Sequence, residues 1–289
     1  MSHIMRLRSQ RTIRRPVAVS GCGYWSGRAN RVEFHPAPAG TGVVFVRADL
    51  DPPVRIPASI ESRVEANNRT NLSASGAQVH MVEHVLSALA GLEIDCCLVR
   101  VHGEEMPGLD GSSQAFVEAL DAAGIEHLAA PLEPVVVEDI LRVGDHSSWI
   151  EASPPLFPGL SIDYELDYGP GPIGRQQKAL RVTPASYRED LAAARTFISA
   201  ADAEGLRGAG LGLAVATRDL LVFGPGGPID NSLRWADECV RHKMLDVVGD
   251  LALAGRPIHG HVRAHRSGHR LNAALVAALL GRCRMRASA

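Results

Sequence analysis

Two segments with helical apolar periodicity, one in each half of the 289-residue chain, constrain its fold more than any other feature. In Val79–Ala90 and in Leu233–Ala254, apolar side chains recur at the spacing that places them on one face of a helix. Such a helix must bury its apolar face against another layer of structure. Alternating or β-branched runs, which are typical of strands, precede both segments. This order predicts an α+β fold of two related units, although no internal sequence repeat supports it.

Shorter patterns complete the prediction. Further strands are predicted at Val43–Arg47, Cys96–Val101, Val135–Val143, Leu160–Tyr164, Leu180–Thr183 and Leu220–Phe223, and further helices at Ser113–Ala123, Tyr187–Ala203 and Asn272–Leu280. The segment Ala129–Pro134, which contains two prolines, is predicted to link the units. We therefore expect an N-terminal domain over residues 5–130 and a C-terminal domain over residues 135–289, each long enough to bury a core.

Composition and charge exclude several classes of protein. The formal net charge is -2, so no overall electrostatic attraction favours nucleic acid. No apolar run reaches the ~18 residues of a membrane-spanning helix, and no apolar secretory signal follows the charged start. The five cysteines form no Cys-x-x-Cys pair, and Cys96 and Cys97 lie in a predicted strand. Reduced thiols and a cytoplasmic location are therefore expected.

The second long helix carries a candidate pair of metal ligands. His242 and Asp246 are four residues apart, so on a helix their Cβ atoms lie about 6 Å apart on one face. An imidazole and a carboxylate placed in this way can bind one metal ion. Asp250 continues the same stripe, where a carboxylate can orient a neighbouring ligand. A pair of this kind is by itself more often a polar stripe facing solvent.

Glu83 and His84 lie within the apolar pattern of the first long helix. Burying both side chains costs several kcal/mol unless each has a partner. They are either a core histidine hydrogen-bonded to a carboxylate or a third metal ligand beside a general base. Two histidines and an aspartate leave one position of a tetrahedral zinc ion open for water, as hydrolysis requires. A nearby glutamate can deprotonate that water.

Two further residues suit amide hydrolysis. His269 follows Ser267 and Gly268 in a turn before the last predicted helix. As an imidazolium it could stabilise an oxyanion and protonate the departing amine. Thr196 offers a hydroxyl that could polarise a substrate carbonyl. A loop histidine is often merely exposed, and a threonine at a helix end is more often a cap.

Together, these residues and their surroundings resemble the zinc deacetylase family of lipid A biosynthesis, the UDP-3-O-acyl-N-acetylglucosamine deacetylases. The resemblance extends from about Arg8 to Leu280 and is carried by six blocks in the family's order. The blocks are Pro36–Gly42, Val82–Leu92, Glu105–Ser112, Ala194–Phe197, Val240–Asp246 and Ser267–Asn272. A match of this extent argues against chance similarity.

The resemblance implies a metal centre and an acid–base pair. His84, His242 and Asp246 would bind Zn²⁺, and Fe²⁺ could occupy the same site. Glu83 would be the general base and His269 the general acid. An acid distinct from the base is expected, because an amide nitrogen must be protonated before it can leave.

The resemblance also implies helpers, a substrate and a more detailed fold. Thr196 and Asp250 would assist catalysis, Lys243 would approach the substrate's diphosphate or the site charge, and Phe197 would pack against its sugar. The expected partner is a UDP-linked acylated amino sugar that loses acetate from its 2-amino group. We expect a monomer with no nucleic-acid partner and with peripheral contact to membrane lipid. The family fold is two similar α+β domains packed face to face, each a β-sheet layered on a helix pair, with small inserts.

Three departures from the family pattern concern the surroundings of the site. Trp25 replaces the usual histidine in the block Gly21–Gly27, where we expect it at the site rim or in domain packing. The resemblance implies an apolar passage for the acyl chain, closed by the second insert. Ala214–Ala216 replaces a Gly-Gly-Ser turn and restricts a loop near this passage. Ser148 stands where a lysine that helps bind UDP is expected. The pattern favours retained hydrolysis with an altered acyl length, nucleotide preference or N-acetylated substrate.

Two other classes of function remain open. Two histidines and a carboxylate also form the iron(II) site of non-haem oxygenases. Glu83 and His269 argue against that class, because an oxygenase needs no paired acid and base. A metal-binding paralogue without activity is the other alternative, but a purely structural site would not require Glu83, Thr196 and His269.

Overall fold

The alternating and β-branched runs form two large sheets, one in each half of the chain. The computed structural model describes residues 8–217 and 219–287. The first half contains strands β1 (Ser9–Ile13), β2 (Val17–Cys22), β3 (Ala29–Pro36), β4 (Val43–Arg47), β5 (Val54–Pro57), β6 (Arg63–Val64), β7 (Asn71–Ala74), β8 (Ala77–His80), β9 (Cys97–Val101) and β10 (Ile125–Pro131), with helices α1 (Glu83–Gly91) and α2 (Gln114–Ala123).

The second half repeats this mixture of strands and helices. Its strands are β11 (Val135–Val136), β12 (Leu141–Gly144), β13 (Trp149–Ser153), β14 (Leu160–Asp167), β15 (Arg175–Val182), β16 (Phe197–Ser199), β17 (Leu221–Gly224), β18 (Gly227–Pro228) and β19 (Ile258–His265), and its helices are α3 (Pro184–Ser186), α4 (Ala200–Gly208), α5 (Glu238–Leu251) and α6 (His269–Ala287).

The two large sheets have the same topology. Their strand orders are β2-β3-β9-β4-β5 and β12-β13-β19-β14-β15. In each path the central strand is parallel to one neighbour, β9 to β4 and β19 to β14, and the remaining pairs are antiparallel. One helix precedes each central strand and another follows it, α1 and α2 around β9 and α5 and α6 around β19. The predicted fold class, two similar α+β units, is confirmed.

Each unit carries an insert at the same point of its topology, between the edge strand of the sheet and the first long helix. In the first unit this insert is the three-stranded sheet β6-β7-β8, which lies between β5 and α1. In the second unit it is the sheet β16-β17-β18 together with α4, between β15 and α5. Because the inserts leave the frame at equivalent positions, both approach the junction of the units.

The units meet through α1 and α5, which pack closely because small residues lie between them. A Cβ at Gly249 of α5 would lie 2.1 Å from the backbone oxygen of Glu83 in α1. The Ser87 hydroxyl donates to the Leu245 carbonyl oxygen at 2.8 Å. Tyr187, which packs on Gly91, donates its hydroxyl to Ser87 Oγ at 2.8 Å. The backbones of the two helices are therefore held almost in contact at the level of Glu83.

Several predicted boundaries are wrong. Residues 79 and 80 belong to β8, and α1 begins only at Glu83, after Met81 takes a φ of 59° that ends the strand and turns the chain. The predicted linker Ala129–Pro134 starts inside β10, where Pro131 pairs with Ser9 of β1. The domain bounds 5–130 and 135–289 stay a prediction, and residues 5–7 and 288–289 lie outside the described residues.

The predicted helix Tyr187–Ala203 is also wrong. A π turn covers Tyr187–Leu191, β16 follows at Phe197, and helical structure resumes only at Ala200. The apolar residues of this region are spaced as in a helix, but Phe197–Ser199 pair with β17, so this part of the segment is a strand. Tertiary contacts thus override the local pattern.

The five cysteines are free thiols, and those at positions 96, 97 and 239 are buried. Within residues 8–217 and 219–287, no helix is both long enough and apolar enough to cross a bilayer.

Candidate active site

Three side chains from α1 and α5 converge where the units meet. The ligand atoms of His84, His242 and Asp246 all lie within 4.8 Å of one another, and all three residues are buried. Asp246 Oδ1 is 3.4 Å from His242 Nε2 and 3.7 Å from His84 Nε2. The two imidazole rings meet edge to face with centroids 5.1 Å apart. Two ring nitrogens and one carboxylate oxygen thus face a common point.

The hydrogen bonding of Asp246 indicates that a cation would be favoured at that point. Its Oδ1 is buried and has no hydrogen-bond partner in the part of the chain that the structure describes. An unpaired buried carboxylate oxygen is costly, and a bound cation would offset that cost. Its Oδ2 accepts a hydrogen bond from Lys243 Nζ at 2.8 Å. Burial alone would raise the pKa of Asp246, but the nearby His242 and Lys243 hold it well below its usual value.

The orientation of His242 also fits a metal ligand. Its Nδ1 lies 3.0 Å from the Ala194 carbonyl oxygen, so Nδ1 is the donor and Nε2 is left free to face the centre. Burial lowers the pKa of His242 to about 4, which keeps the ring neutral, as a metal ligand must be. The residues present therefore fit one divalent metal ion of the kind that histidine and carboxylate ligands select.

A carboxyl group and an imidazole flank the centre. Glu83 is 4% exposed, and burial raises its pKa, as do the charges of Asp250 and Asp246. His269 Nδ1 lies 2.8 Å from Asp250 Oδ2, and its Nε2 lies 4.0 Å from Asp246 Oδ2. Burial opposes ionisation of this ring, but Asp250 outweighs it and raises the pKa of His269 to about 9. The site therefore holds a carboxylate that binds a proton readily and an imidazolium that can supply one.

These groups face one cavity of about 760 Å³. The residues predicted from the sequence that line it are Glu83, His84, Thr196, Phe197, His242, Lys243, Asp246 and His269. Asp250 is fully buried behind His269 and lies outside the lining. The structure thus brings all nine predicted residues together, eight on the cavity wall and one supporting the wall.

Thr196 and Phe197 follow Arg195, whose side chain is anchored in the interior beside the cavity. The Arg195 guanidinium binds both carboxylate oxygens of Glu238, with Nε 2.8 Å from Oε1 and Nη2 3.0 Å from Oε2. Thr196 donates its backbone N–H to the Gly111 carbonyl oxygen at 2.8 Å. The Phe197 ring lies edge-on to His242, with centroids 6.3 Å apart. This buried ion pair, which sequence reasoning did not identify, ties the second insert to the start of α5.

Two more residues around Asp250 were missed. Thr70 donates its hydroxyl to Asp250 Oδ1 at 2.6 Å, and Asn272 donates its side-chain N–H to Asp250 Oδ2 at 2.8 Å. Asn272 lies in the sixth block of the family resemblance, which could have drawn attention to it. Thr70 is 180 positions from Asp250 and lies in none of the six blocks, so nothing in the sequence pointed to it.

The three departures from the family pattern lie at this cavity. Trp25 lines it, with the Arg69 guanidinium 4.5 Å above its ring. Ser148 also lines it and donates its hydroxyl to the Arg266 carbonyl oxygen at 2.9 Å. In the altered turn, positions 215 and 216 line the cavity as well. The positions expected to depart from the family pattern therefore lie on the cavity wall, and none of them is His84, His242 or Asp246.

A two-histidine, one-aspartate centre beside a buried glutamate and a histidine–aspartate pair defines the class of metal-dependent hydrolases. The family model described as UDP-3-O-acyl N-acetylglycosamine deacetylase matches residues 10–281. The chain belongs to this family, and the predicted resemblance is confirmed.

Individual relatives agree with the family match. A Solibacter usitatus protein named UDP-3-O-acyl-N-acetylglucosamine deacetylase is 40% identical over 276 residues, 95% of this chain and 92% of that protein. A Brucella ovis protein of the same name is 39% identical over 273 residues, 94% of this chain and 95% of that protein. The similarity thus covers both units and both inserts.

Proposed function

We propose that the protein hydrolyses the acetamide of UDP-3-O-acyl-N-acetylglucosamine and releases acetate, as a step of lipid A biosynthesis. The observation that carries this proposal is the buried Asp246 Oδ1, which has no hydrogen-bond partner among the described residues and faces the same point as His84 and His242. Glu83 and His269 line the same cavity. Family membership supplies the substrate class, and the geometry supplies groups for each proton transfer.

The resident metal is proposed to be zinc, held by His84, His242 and Asp246. When bound, zinc would polarise the acetamide carbonyl and lower the pKa of a water molecule toward ~7. Glu83 is buried beside the ligands with a raised pKa, so it is suited to accept the proton of the attacking water. Iron(II) could occupy the same ligands and support the same hydrolysis, because neither Glu83 nor His269 acts through a redox change.

His269 is proposed to protonate the amine as it leaves. Its Nδ1 is bound to Asp250, so its Nε2 carries the proton that faces the cavity. An imidazolium with a pKa of about 9 is charged at neutral pH and holds this proton until the amine nitrogen accepts it. The Thr196 hydroxyl is proposed to donate to the carbonyl oxygen, since this residue of the second insert lines the same cavity.

Lys243 and Phe197 are proposed to position the substrate. The Lys243 ammonium donates a hydrogen bond to Asp246 Oδ2, so its positive charge lies within the site. There it would attract an anionic substrate. Phe197 contacts both Tyr168 and Phe223 edge to face, which makes an aromatic wall against which a sugar ring can pack.

A second candidate is the same hydrolysis on another N-acylated sugar. It is favoured by the residues on the cavity wall, where Trp25 and Ser148 stand in place of the family's usual side chains. Ser148 lacks the positive charge that a lysine would offer a diphosphate.

One chain supplies every proposed metal ligand and both proton-transfer groups, which supports a monomer as the functional unit. A cytoplasmic location is proposed because UDP-sugars are made there.

The test is acetate release by the purified, zinc-loaded protein from UDP-3-O-acyl-N-acetylglucosamine. Glu83→Ala is expected to abolish turnover, and the matched control Glu126→Ala, an exposed carboxylate on β10, is expected to retain it. Release from other N-acetyl sugars but not from this one would favour the second candidate. A metal-loaded protein that hydrolyses neither would refute the enzymatic proposal.

A further inference from the structure

Thr70 contacts both Glu83, the proposed base, and Asp250, which binds the proposed acid His269. It belongs to neither α1 nor α5. It is fully buried and lies just before β7 in the first insert. Its backbone N–H donates to Glu83 Oε2 at 2.9 Å, and its hydroxyl donates to Asp250 Oδ1 at 2.6 Å. Its carbonyl oxygen accepts from the Val82 N–H at 3.1 Å, at the start of α1. One residue thus contacts Glu83 and the carboxylate that binds His269.

These contacts restrict a torsion that would otherwise be soft. Rotation of an aspartate carboxylate about its last side-chain bond has broad minima, so Asp250 needs partners on both oxygens to hold one orientation. His269 and Asn272 bind Oδ2, each at 2.8 Å. Oδ1 is held by the Thr70 hydroxyl, through a short bond of the strong kind that charged acceptors make. Without that hydroxyl, Oδ1 would be left buried and the carboxylate free to turn.

We propose that Thr70 is a positioning residue that aligns the base and the acid with each other. The proposal rests on the proposed function, since it assigns Glu83 and His269 to one reaction. Being fully buried, Thr70 acts only through its neighbours. Its N–H fixes one oxygen of Glu83, and its hydroxyl fixes Asp250 and thereby the Nε2 of His269 that faces the cavity.

A purely structural role is the competing explanation, and the chain offers a matched control for it. Thr12 in β1 is 2% exposed. Its hydroxyl donates to the Cys96 carbonyl oxygen at 2.7 Å and accepts from the Ala37 N–H at 3.0 Å. It lies outside the cavity lining. Thr12→Val and Thr70→Val therefore both remove a buried, hydrogen-bonded hydroxyl, but only the second removes it from the active site.

Steady-state kinetics of the zinc-loaded protein test the proposal. Thr70→Val is expected to lower kcat about 10- to 100-fold with KM nearly unchanged and with full metal content. Thr70→Ser, which keeps the hydroxyl, is expected to recover kcat to within about threefold of wild type. Thr12→Val should leave kcat unchanged. Equal losses in the Val and Ser variants, a wild-type kcat in Thr70→Val, or a loss proportional to missing metal would overturn the proposal. If Thr70→Val does not fold, Thr70→Ala serves the same comparison.

A double-mutant cycle with Asp250→Asn separates positioning from stability. If Thr70 acts through Asp250, Thr70→Val should cost little further kcat in the Asp250→Asn background. A full additional loss would contradict the proposal.

Failure of the proposed function would be visible separately, as a wild type that releases no acetate. Even in that case, a crystal structure of Thr70→Val would test whether Thr70 positions Asp250. The expected result is an Asp250 carboxylate turned away from His269, and an unchanged Asp250 would refute the proposal.

Discussion

The two halves of the molecule share one topology but contribute differently to the site. The first unit provides Glu83 and His84 from the beginning of α1, and the second provides His242 and Asp246 from the middle of α5. Strand order, parallel pairing and helix placement are the same in both. The repeated frame therefore sets where the helices meet, and the side chains on those helices set the chemistry.

The inserts differ more than the frames. In the first insert, Thr70 is completely buried against the carboxylates of Glu83 and Asp250. The second insert supplies much of the cavity wall, to which residues 65–68 of the first insert also contribute. The helix α4 of the second insert buries none of its residues. A buried insert is constrained by many contacts, whereas an exposed one can vary with the substrate. Of the three departures from the family pattern, only the turn Ala214–Ala216 lies in an insert, and that insert is the second.

The largest effect is expected from removing one ligand from either half. His84→Ala in the first unit and His242→Ala in the second should each abolish stoichiometric metal binding and activity, because both remove one of three convergent ligand atoms. Metal analysis by atomic emission, alongside acetate release, measures this. Wild type stripped with a chelator should regain activity with zinc, whereas the variants should not. Full metal binding by His84→Ala would show that the centre belongs to the second half alone.

A smaller effect is expected at the contact between the halves. Gly249→Ala would place a Cβ 2.1 Å from the Glu83 backbone oxygen, which cannot move without shifting the base. We expect a loss of about 1–3 kcal/mol in the free energy of unfolding, together with reduced kcat. Denaturant unfolding and kinetics measure the two effects.

The control for this substitution is Gly281→Ala in α6, where an added Cβ meets nothing within 4 Å. It should stabilise the protein by up to about 1 kcal/mol, because alanine is the better helix former. If both variants behave alike, the helices are not in the close contact described.

A pH-dependent difference in stability is also expected between matching positions of the two halves. Helix α6 of the second unit begins at His269. Its counterpart in the first unit, α2, begins at the uncharged Gln114. The folded protein raises the pKa of His269 from 6.5 to about 9, so it favours the charged form. This stabilisation is complete below about pH 6.5 and is lost as the pH rises through about 9.

In the metal-stripped protein, the stability difference between wild type and His269→Gln should therefore shrink between pH 6.5 and 9.5. The change should be on the order of 2–3 kcal/mol, measured by urea unfolding. Gln114→Ala is the control and should show a difference independent of pH. A constant gap for His269→Gln would mean that Asp250 does not hold a proton on this ring.

Much of the site could be predicted from the sequence. Some of its residues are separated by a short, regular interval, and others lie in sequence blocks that are characteristic of the family. The four-residue interval between His242 and Asp246 follows from helix geometry alone. Other features depended on contacts between distant parts of the chain. The helix predicted over Tyr187–Ala203 failed because the apolar spacing there carries no information about the pairing of Phe197–Ser199 with β17.

By itself, the sequence determined the α+β class, the family and the residue types of the site, because periodicity and motif order are local properties of the chain. Only the tertiary structure showed that two units of equal topology bring α1 against α5, with Gly249 lying on Glu83. Only it placed Thr70 on Asp250, across 180 positions of sequence. Contacts of this range are decided by how whole layers pack, and no local pattern records them.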